Sequence, residues 1–316
     1  MGDSRIVLLR PYKLGNYQFF RQWAAEAWKK IGGEIVGDYS IPWKIKMLVG
    51  KSGVVRHIPG LRTNTKMLVL CCGRPDYFSW PWCYTYEIVP VLWDCWPKYW
   101  SHLLTFLRRN NTRTIFCTSS QTAEFVRSQC PEVNAVWLPE GIDVASYLMG
   151  NMLTQRNVDI LELGRQMPNV HEAILECSSR NPIRHLYQRG GSLLFPDFES
   201  LTNGLRNAKI TISYPRCDTH PEMAGSIETM TQRYWECMLS GSVIAGRAPA
   251  ELVDFCGYNP VVPLGEHPAS QLMDMLSNIS DFQPLVLKNR KFAELRADWT
   301  LRMKRIMSML THGEGA

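Results

Sequence analysis

Short apolar runs alternate with segments of helical periodicity along most of the chain. A first series of buried-strand patterns covers residues 5–10, 66–73, 87–96, 112–120 and 135–143. A second series covers residues 158–165, 191–196, 209–215, 242–246 and 259–264. Helical patterns separate the strands, and the last pattern predicts one long helix over about residues 284–310. Strands that alternate with helices predict an α/β protein with parallel sheets covered on both faces.

The strand pattern ends near residue 143 and begins again near residue 158, which predicts two domains. We expect two Rossmann-like, doubly wound domains that face each other across a cleft. Domain 1 is expected to cover 1–146 and domain 2 to cover 147–289, with a C-terminal helix at about 290–316 packing back on domain 1. In such sheets ligands bind beyond the carboxyl ends of the strands.

The composition is that of a soluble globular protein, with 316 residues, 45% of them hydrophobic and 20% charged. The first apolar run is too short for a signal peptide, and no run has the roughly 20 apolar residues of a membrane span. Ten scattered cysteines predict reduced, mostly buried thiols in a cytoplasmic protein. The formal charge of +6 is no nucleic-acid signature, but it permits a peripheral contact with an anionic inner membrane face.

Two glutamates, Glu228 and Glu236, have seven residues between them in the segment SIETMTQRYWECMLSG. Eight residues of helix span about 12 Å, which suits a long ligand with a different group at each end. Glutamate pairs at this spacing are also common on ordinary helices, and a glutamate in a first turn stabilises the helix by itself. The spacing alone therefore leaves both interpretations open.

Four motifs in a fixed order make the pattern more specific. They are LPEGID (138–143), LELGR (161–165), RYWECMLSGSVIAG (233–246) and ADWTLRMKRI (297–306). Together with the paired glutamates they resemble the GT-B glycosyltransferases, in particular the retaining enzymes of family 4 and the related group 1 transferases. The resemblance covers residues 112–310, and the first hundred residues resemble these enzymes only in strand order.

The resemblance implies a glycosyltransferase that moves a sugar from a nucleotide-diphosphate sugar to a hydroxyl acceptor with retention of configuration. The donor would be a UDP- or GDP-sugar, and no metal or other cofactor is required. The acceptor would be a glycan, a lipid-linked glycan or a small molecule, and no nucleic acid is expected. By resemblance Glu236 binds the ribose, Gly164 and Arg165 bind the diphosphate, and Glu228 faces the donor sugar. The other candidate donor-binding residues are Thr229, Thr231, Arg233, His220 and Gly15.

The sequence departs from the family pattern at three places. It lacks the lysine that usually follows the Gly-Arg pair, so that His171, Arg216 or Arg233 would have to assist. The first loop of the family is often rich in glycine, and here PYKLGNY contains a single one. Where many members carry a histidine, LWDCWPKYW offers Asp94 as a second catalytic candidate, either orienting or deprotonating the acceptor or serving as a structural cap.

The segment 79–100 is unusually aromatic, and its rings could stack on sugars, lie at a membrane interface or fill a core. Of these we expect an acceptor-side surface. Three rival functions stay open: a nucleotide-sugar epimerase, a non-catalytic nucleotide-binding scaffold and a DNA-modifying glucosyltransferase. The last of these predicts salt-sensitive binding to duplex DNA, against which the diffuse charge argues.

Overall fold

The computed structural model describes residues 5–11, 19–37, 41–190 and 193–312. The chain forms two compact units, each with its own sheet. Unit 1 consists of the described residues within Met1–Gly141, Met223–Ile227 and Trp299–Ala316. Unit 2 consists of the described residues within Ile142–Glu222 and Glu228–Asp298.

The strands lie close to the apolar runs of the sequence. They are β1 (Ile6–Leu9), β2 (Glu34–Val36), β3 (Lys66–Cys72), β4 (Glu87–Trp93), β5 (Thr114–Cys117), β6 (Asn134–Trp137), β7 (Val158–Glu162), β8 (His185–Tyr187), β9 (Ala208–Ser213), β10 (Val243–Gly246) and β11 (Val262–Pro263). Unit 1 has a parallel sheet in the order β2-β1-β3-β4-β5-β6, and unit 2 has one in the order β11-β10-β9-β7-β8. The predicted α/β class with two doubly wound parallel sheets is confirmed.

Helices connect the strands in both units. They are α1 (Phe19–Lys30), α2 (Trp43–Ser52), α3 (Asp76–Ser79), α4 (Pro97–Asn110), α5 (Ser120–Gln129), α6 (Pro168–Arg180), α7 (Phe198–Asn207), α8 (Arg216–Thr219), α9 (Pro221–Ala224), α10 (Gln232–Ser240), α11 (Ala250–Cys256), α12 (Pro268–Ser277), α13 (Gln283–Arg296) and α14 (Trp299–His312). No helix in the described ranges is long and apolar enough to cross a membrane.

The prediction of a strand at 191–196 is wrong for residues 193–196, the part of it that the structure describes. Residues 194–196 form bends, and Leu193, which lies in no strand, is 54% exposed. The edge strand of the second sheet is instead β8, three residues long and only partly buried. An edge strand this short has too few positions to show the apolar pattern from which a strand is predicted.

The predicted long C-terminal helix is divided into α13 and α14. Ala297 and Asp298 interrupt it, because the carbonyl of Ala297 accepts a hydrogen bond from the amide of Ile142 (2.9 Å) and Asp298 bridges to the same residue. The part after the break, α14, belongs to unit 1, where the buried Arg302 donates to the carbonyl of Pro139 (3.1 Å).

The aromatic segment 79–100 contributes to the core of unit 1 rather than to an open surface. Trp93 and Trp96 are buried, and the remaining rings pack partly buried against the same core. The ring of Trp100 stacks on that of Phe125 with centroids 3.8 Å apart. Most of these rings therefore pack in the core of unit 1 and do not form the expected acceptor-side surface.

All ten cysteines are free thiols, and six of them are buried. Burial raises the pKa of the thiols of Cys117 and Cys237 to about 12, so that they stay protonated at neutral pH. The predicted reduced and mostly buried thiols agree with this arrangement.

Candidate functional site

Three neighbouring strands of unit 2 bring polar loops to one edge of its sheet. Glu162 of β7 lies beside Ile212 of β9, and Ser213 of β9 lies beside Gly246 of β10. Because β7, β9 and β10 are parallel, the loops that follow them leave the sheet at the same edge. These loops and the start of α10 carry most of the candidate donor-binding residues.

Glu236 is a buried carboxylate on α10 with a partner on each oxygen. It is 4% exposed, its Oε1 accepts a hydrogen bond from the hydroxyl of Tyr147 (3.2 Å), and its Oε2 pairs with Arg233 one turn earlier. Burial, and next the charge of Glu236, raise the pKa of Tyr147, so that its phenol stays protonated and donates. The structure thus brings together two predicted residues, Glu236 and Arg233, with Tyr147, which the sequence did not indicate.

Local sequence explains the bounds of α10. Thr231 is its N-cap residue, although no side-chain hydrogen bond caps the helix there. Gly241 ends it in a left-handed conformation, with φ of 72° and its amide bonded to the carbonyl of Met238. The helix does not include Glu228, because α10 begins four residues later, at Gln232.

Glu228 instead lies in the segment before α10 and contacts the loop after β10. Its Oε1 pairs with Arg247, and its Oε2 accepts a hydrogen bond from the amide of Ala250 (3.0 Å) at the start of α11. It therefore accepts a hydrogen bond from an amide at the N-terminus of α11, which has no partner within that helix turn. Its side chain is 29% exposed, so that the carboxylate remains reachable from solvent.

Arg247 joins two carboxylates at this edge of the sheet. Its Nε and Nη2 form a fork on Asp218, at 2.5 and 2.6 Å, while its Nη1 pairs with Glu228. Hydrogen bonding to Asp218, and secondly to Glu228, raises the pKa of the guanidinium. The sequence analysis missed both Arg247 and Asp218. The signal that could have found Arg247 is its position directly after the buried strand SVIAG.

Gly164 and Arg165 follow β7 and reach the same network. Gly164 has φ of +86°, a conformation that favours glycine, and a Cβ added there would meet no heavy atom within 4 Å. The Nε of Arg165 donates to the hydroxyl of Thr219 (3.2 Å), the residue that follows Asp218 on α8. A continuous set of contacts thus runs from the Gly-Arg pair through α8 and Arg247 to Glu228.

A second polar cluster lies directly before the Gly-Arg pair. The buried Oε2 of Glu162 is 2.5 Å from Nδ1 of His171 on α6 and 2.8 Å from Nε2 of His185 on β8. The possible ligand atoms of these three residues lie within 4.8 Å of one another, a geometry that could hold a metal ion. The two short contacts are hydrogen-bond distances, so that His171 is engaged in holding the end of β7.

The remaining predicted residues have varied surroundings. Thr229 is buried, and its hydroxyl donates to Glu251 (3.1 Å), which also accepts from the amide of Met230 (2.6 Å). His220 ends α8, and its buried Nδ1 has no hydrogen-bond partner among the residues that the structure describes. Gly15 lies outside the described residues.

Asp94 belongs to unit 1, where it follows β4. It is exposed, and its φ of +50° is unusual for a residue other than glycine, although aspartate adopts it more readily than most. A backbone held in this region is often found at functional positions. The structure therefore places Asp94 at the carboxyl edge of its own sheet with its carboxylate side chain on the surface.

The fold is that of the GT-B glycosyltransferases. HepE of Anabaena in complex with UDP and glucose is similar over 97% of this chain and 99% of its own, at 10% identity and a TM-score of 0.59. Sucrose-phosphate synthase of Thermosynechococcus elongatus covers 97% of this chain and 98% of its own, at 11% identity and a TM-score of 0.61. AviGT4, a glycosyltransferase of avilamycin A biosynthesis, covers 97% of both chains at 13% identity and a TM-score of 0.54. Neither a protein-family model nor a curated protein sequence matches the chain.

Proposed function

We propose that this protein is a glycosyltransferase that uses a nucleotide-diphosphate sugar, bound by unit 2 at the carboxyl ends of β7, β9 and β10. The observation that carries the proposal is the buried carboxylate of Glu236, held in place by Tyr147 and Arg233 on the helix that follows this edge. A buried carboxylate is costly unless it is paired. Its presence here, in a fold shared with nucleotide-sugar enzymes, favours a ligand-binding role.

Glu236 would bind the ribose of the donor. A carboxylate offers about four lone-pair positions, and Tyr147 and Arg233 occupy one on each oxygen. The remaining positions suit the two hydroxyls of a ribose. Arg233 is 26% exposed on its side chain, so that the ligand would reach the carboxylate beside it.

The diphosphate would lie between the Gly-Arg pair and the start of α10. Gly164 leaves open space where another residue would project a side chain, and Arg165 supplies a forked cation. The N-terminus of α10, directly after Thr231, adds a dipole that is favourable for an anion. His220, whose Nδ1 is buried, would complete this side of the site.

UDP-sugars are the first donors to consider. HepE was solved with UDP and with UDP-glucose, and a similar T4 phage protein, BGT, was solved with UDP-glucose. GDP-sugars remain the alternative that the E-x7-E resemblance also allows.

We further propose a front-face reaction that retains the anomeric configuration, as the resemblance to family 4 implies. The acceptor oxygen bonds to the anomeric carbon as the bond to the leaving phosphate breaks, and the acceptor proton passes to that phosphate oxygen. The cations and amides of the diphosphate site stabilise the charge that develops. Glu228 would hold the donor sugar, with Arg247 fixing its orientation, and Asp94 would act on the acceptor.

Calorimetric titration of UDP, GDP, ADP and CMP tests the donor site. We expect micromolar binding of one diphosphate, at least tenfold weaker in Glu236→Gln, a change that keeps the volume of the side chain. Glu176→Gln is the matched control, because Glu176 is an exposed glutamate near the C-terminal end of another helix of unit 2, α6. Binding of no nucleotide by a folded wild type would overturn the proposal and favour the non-catalytic scaffold.

A further inference from the structure

Exposed apolar side chains are concentrated in one short part of unit 1. Among the described residues, five of the twelve large apolar side chains that are exposed lie between positions 45 and 61. They are Ile45, Leu48, Val54, Ile58 and Leu61, and Leu48 is 70% exposed. Scattered exposed leucines are ordinary, but a concentration of this kind marks an interaction surface.

The same segment carries only positive charge. Between Ile41 and Pro75 the sequence contains no aspartate or glutamate, whereas its exposed positions include Lys44, Lys51 and Arg56. The next acid along the chain, Asp76, is buried and bonded to Arg74 (3.1 Å). The segment therefore exposes basic and apolar side chains together, and it contains no acidic residue that would neutralise the positive charge.

Helix α2 arranges these residues on one face. At 100° per residue, Lys44, Ile45, Leu48 and Lys51 fall within an arc of about 120°. These four are exposed, whereas Lys46 and Gly50 on the opposite side are buried. A helix with cations and large apolar side chains on its solvent side has the pattern of an interfacial helix rather than of a surface helix of an isolated domain.

The end of α4 adds further cations beside this helix. The guanidinium of Arg109 donates to the carbonyl of Gly53 (3.2 Å), the residue that ends α2, and the carbonyl of Arg109 contacts His57 (3.2 Å). Arg108 and Arg109 are exposed in the last turn of α4. The positive region thus extends over two elements of unit 1.

We propose that this face, the exposed side of α2 with residues 54–61, binds the surface of an anionic phospholipid bilayer. Lysine and arginine are attracted to anionic headgroups, and apolar side chains between them insert at the boundary with the acyl chains. A second copy of the chain fits less well, because a symmetric contact would place like charges against each other. The apolar residues argue against nucleic acid as the occupant.

Sedimentation with lipid vesicles tests this contact. The protein is mixed with vesicles of phosphatidylcholine alone, or of phosphatidylcholine with phosphatidylglycerol, at low and at high salt. We expect binding to the anionic vesicles that weakens with salt, since a basic residue near such a surface contributes about 1 kcal/mol, or roughly a fivefold change in partitioning. The double variant Lys44→Gln/Leu48→Ser is expected to bind at least tenfold more weakly.

The chain offers a matched control in unit 2. Lys291 and Leu295 on α13 have the same residue types and spacing, and Leu295 is 63% exposed. Lys291→Gln/Leu295→Ser should bind vesicles as the wild type does, and melting temperatures check that both variants fold. Absence of binding to anionic vesicles, or equal binding by both double variants, would overturn the proposal. A dimer in solution that Leu48→Ser dissociates would overturn it in favour of a second copy.

The contact bears on the acceptor only if the proposed transferase activity holds. In that case a bilayer surface favours a lipid-linked acceptor over a soluble one. Vesicle binding is scored without nucleotide, and nucleotide binding without vesicles, so that failure of either proposal is distinguishable from failure of the other.

Discussion

The carboxylate of Glu228 and the guanidinium of Arg247 form an ion pair across 19 positions of the chain. The same guanidinium also forms an ion pair with Asp218, and the other carboxylate oxygen of Glu228 accepts a hydrogen bond from the amide of Ala250. Glu228 is thus a fixed carboxylate in a loop, with both oxygens oriented by contacts outside its own segment. Orientation of this kind is what a residue needs if it is to contact a donor sugar in one defined position.

Replacing Arg247 should destabilise unit 2 through this pair. Arg247→Gln leaves Asp218 and Glu228 without the cation between them, and we expect a loss of about 1–2 kcal/mol in the free energy of unfolding, since the group is partly open to solvent. Urea denaturation measures the loss. In a double-variant cycle with Glu228→Gln, a coupling of about 0.5 kcal/mol or more is expected. Additive effects would show that the pair contributes nothing to stability.

The catalytic role that we propose for Glu228 can be tested separately from its structural contacts. Glu228→Gln keeps an acceptor for the amide of Ala250 but loses the charge and part of the pairing with Arg247. If Glu228 contacts the donor sugar, kcat/KM should fall about a hundredfold or more, a loss of roughly 3 kcal/mol in transition-state stabilisation. Asp218→Asn is the comparison, because Asp218 pairs with the same arginine. Equal losses in both variants would assign Glu228 a purely structural role.

Tyr147 gives unit 2 a defined response to alkali. Burial and the charge of Glu236 raise the pKa of its phenol above the ordinary value of about 10. The unfolded chain therefore loses this proton first, and the stability that the phenol contributes is present below about pH 10 and is lost as the pH rises beyond it. The slope for one such group is about 1.4 kcal/mol per pH unit.

In Tyr147→Phe the free energy of unfolding should fall less steeply as the pH rises above 10, because one ionising group has been removed. At pH 7 the variant should also lose about 1 kcal/mol, because Glu236 loses a hydrogen bond. Urea denaturation between pH 7 and pH 11 measures both effects. An unchanged slope above pH 10 would mean that the phenol is not protected from ionisation in the folded protein.

The sequence predicted the parts of this molecule that depend on local pattern. The buried runs became strands β3, β4 and β9, and Ser119 directly after the run at 112–120 caps α5 by accepting a hydrogen bond from the amide of Thr122 (3.4 Å). The fold class followed from the order of such elements. Glu236 was singled out because a motif surrounds it, and the structure shows it buried.

What the sequence did not predict depends on contacts between distant residues. Tyr147 is 89 positions from Glu236, and no pattern links the two. Arg247 was overlooked because an arginine after a strand has no periodic signal. The hydrogen bond from the amide of Met230 to Glu251, 21 positions away, holds the chain before α10 and was not predicted either. Such contacts form only once the strands have brought their loops to one edge.

Glycine is favoured at position 164 by its backbone conformation and not by a lack of space for a side chain. At φ of +86° any other residue is strained by about 1–2 kcal/mol, yet a Cβ at this position would meet nothing within 4 Å. Gly190 is a matched control in the same unit, with φ of +64° and equally open surroundings. Gly164→Ala and Gly190→Ala should therefore destabilise the protein by similar amounts. Only Gly164→Ala should weaken nucleotide binding, by about tenfold, because its loop orients Arg165. Equal nucleotide affinity in the two variants would remove the Gly-Arg pair from the donor site.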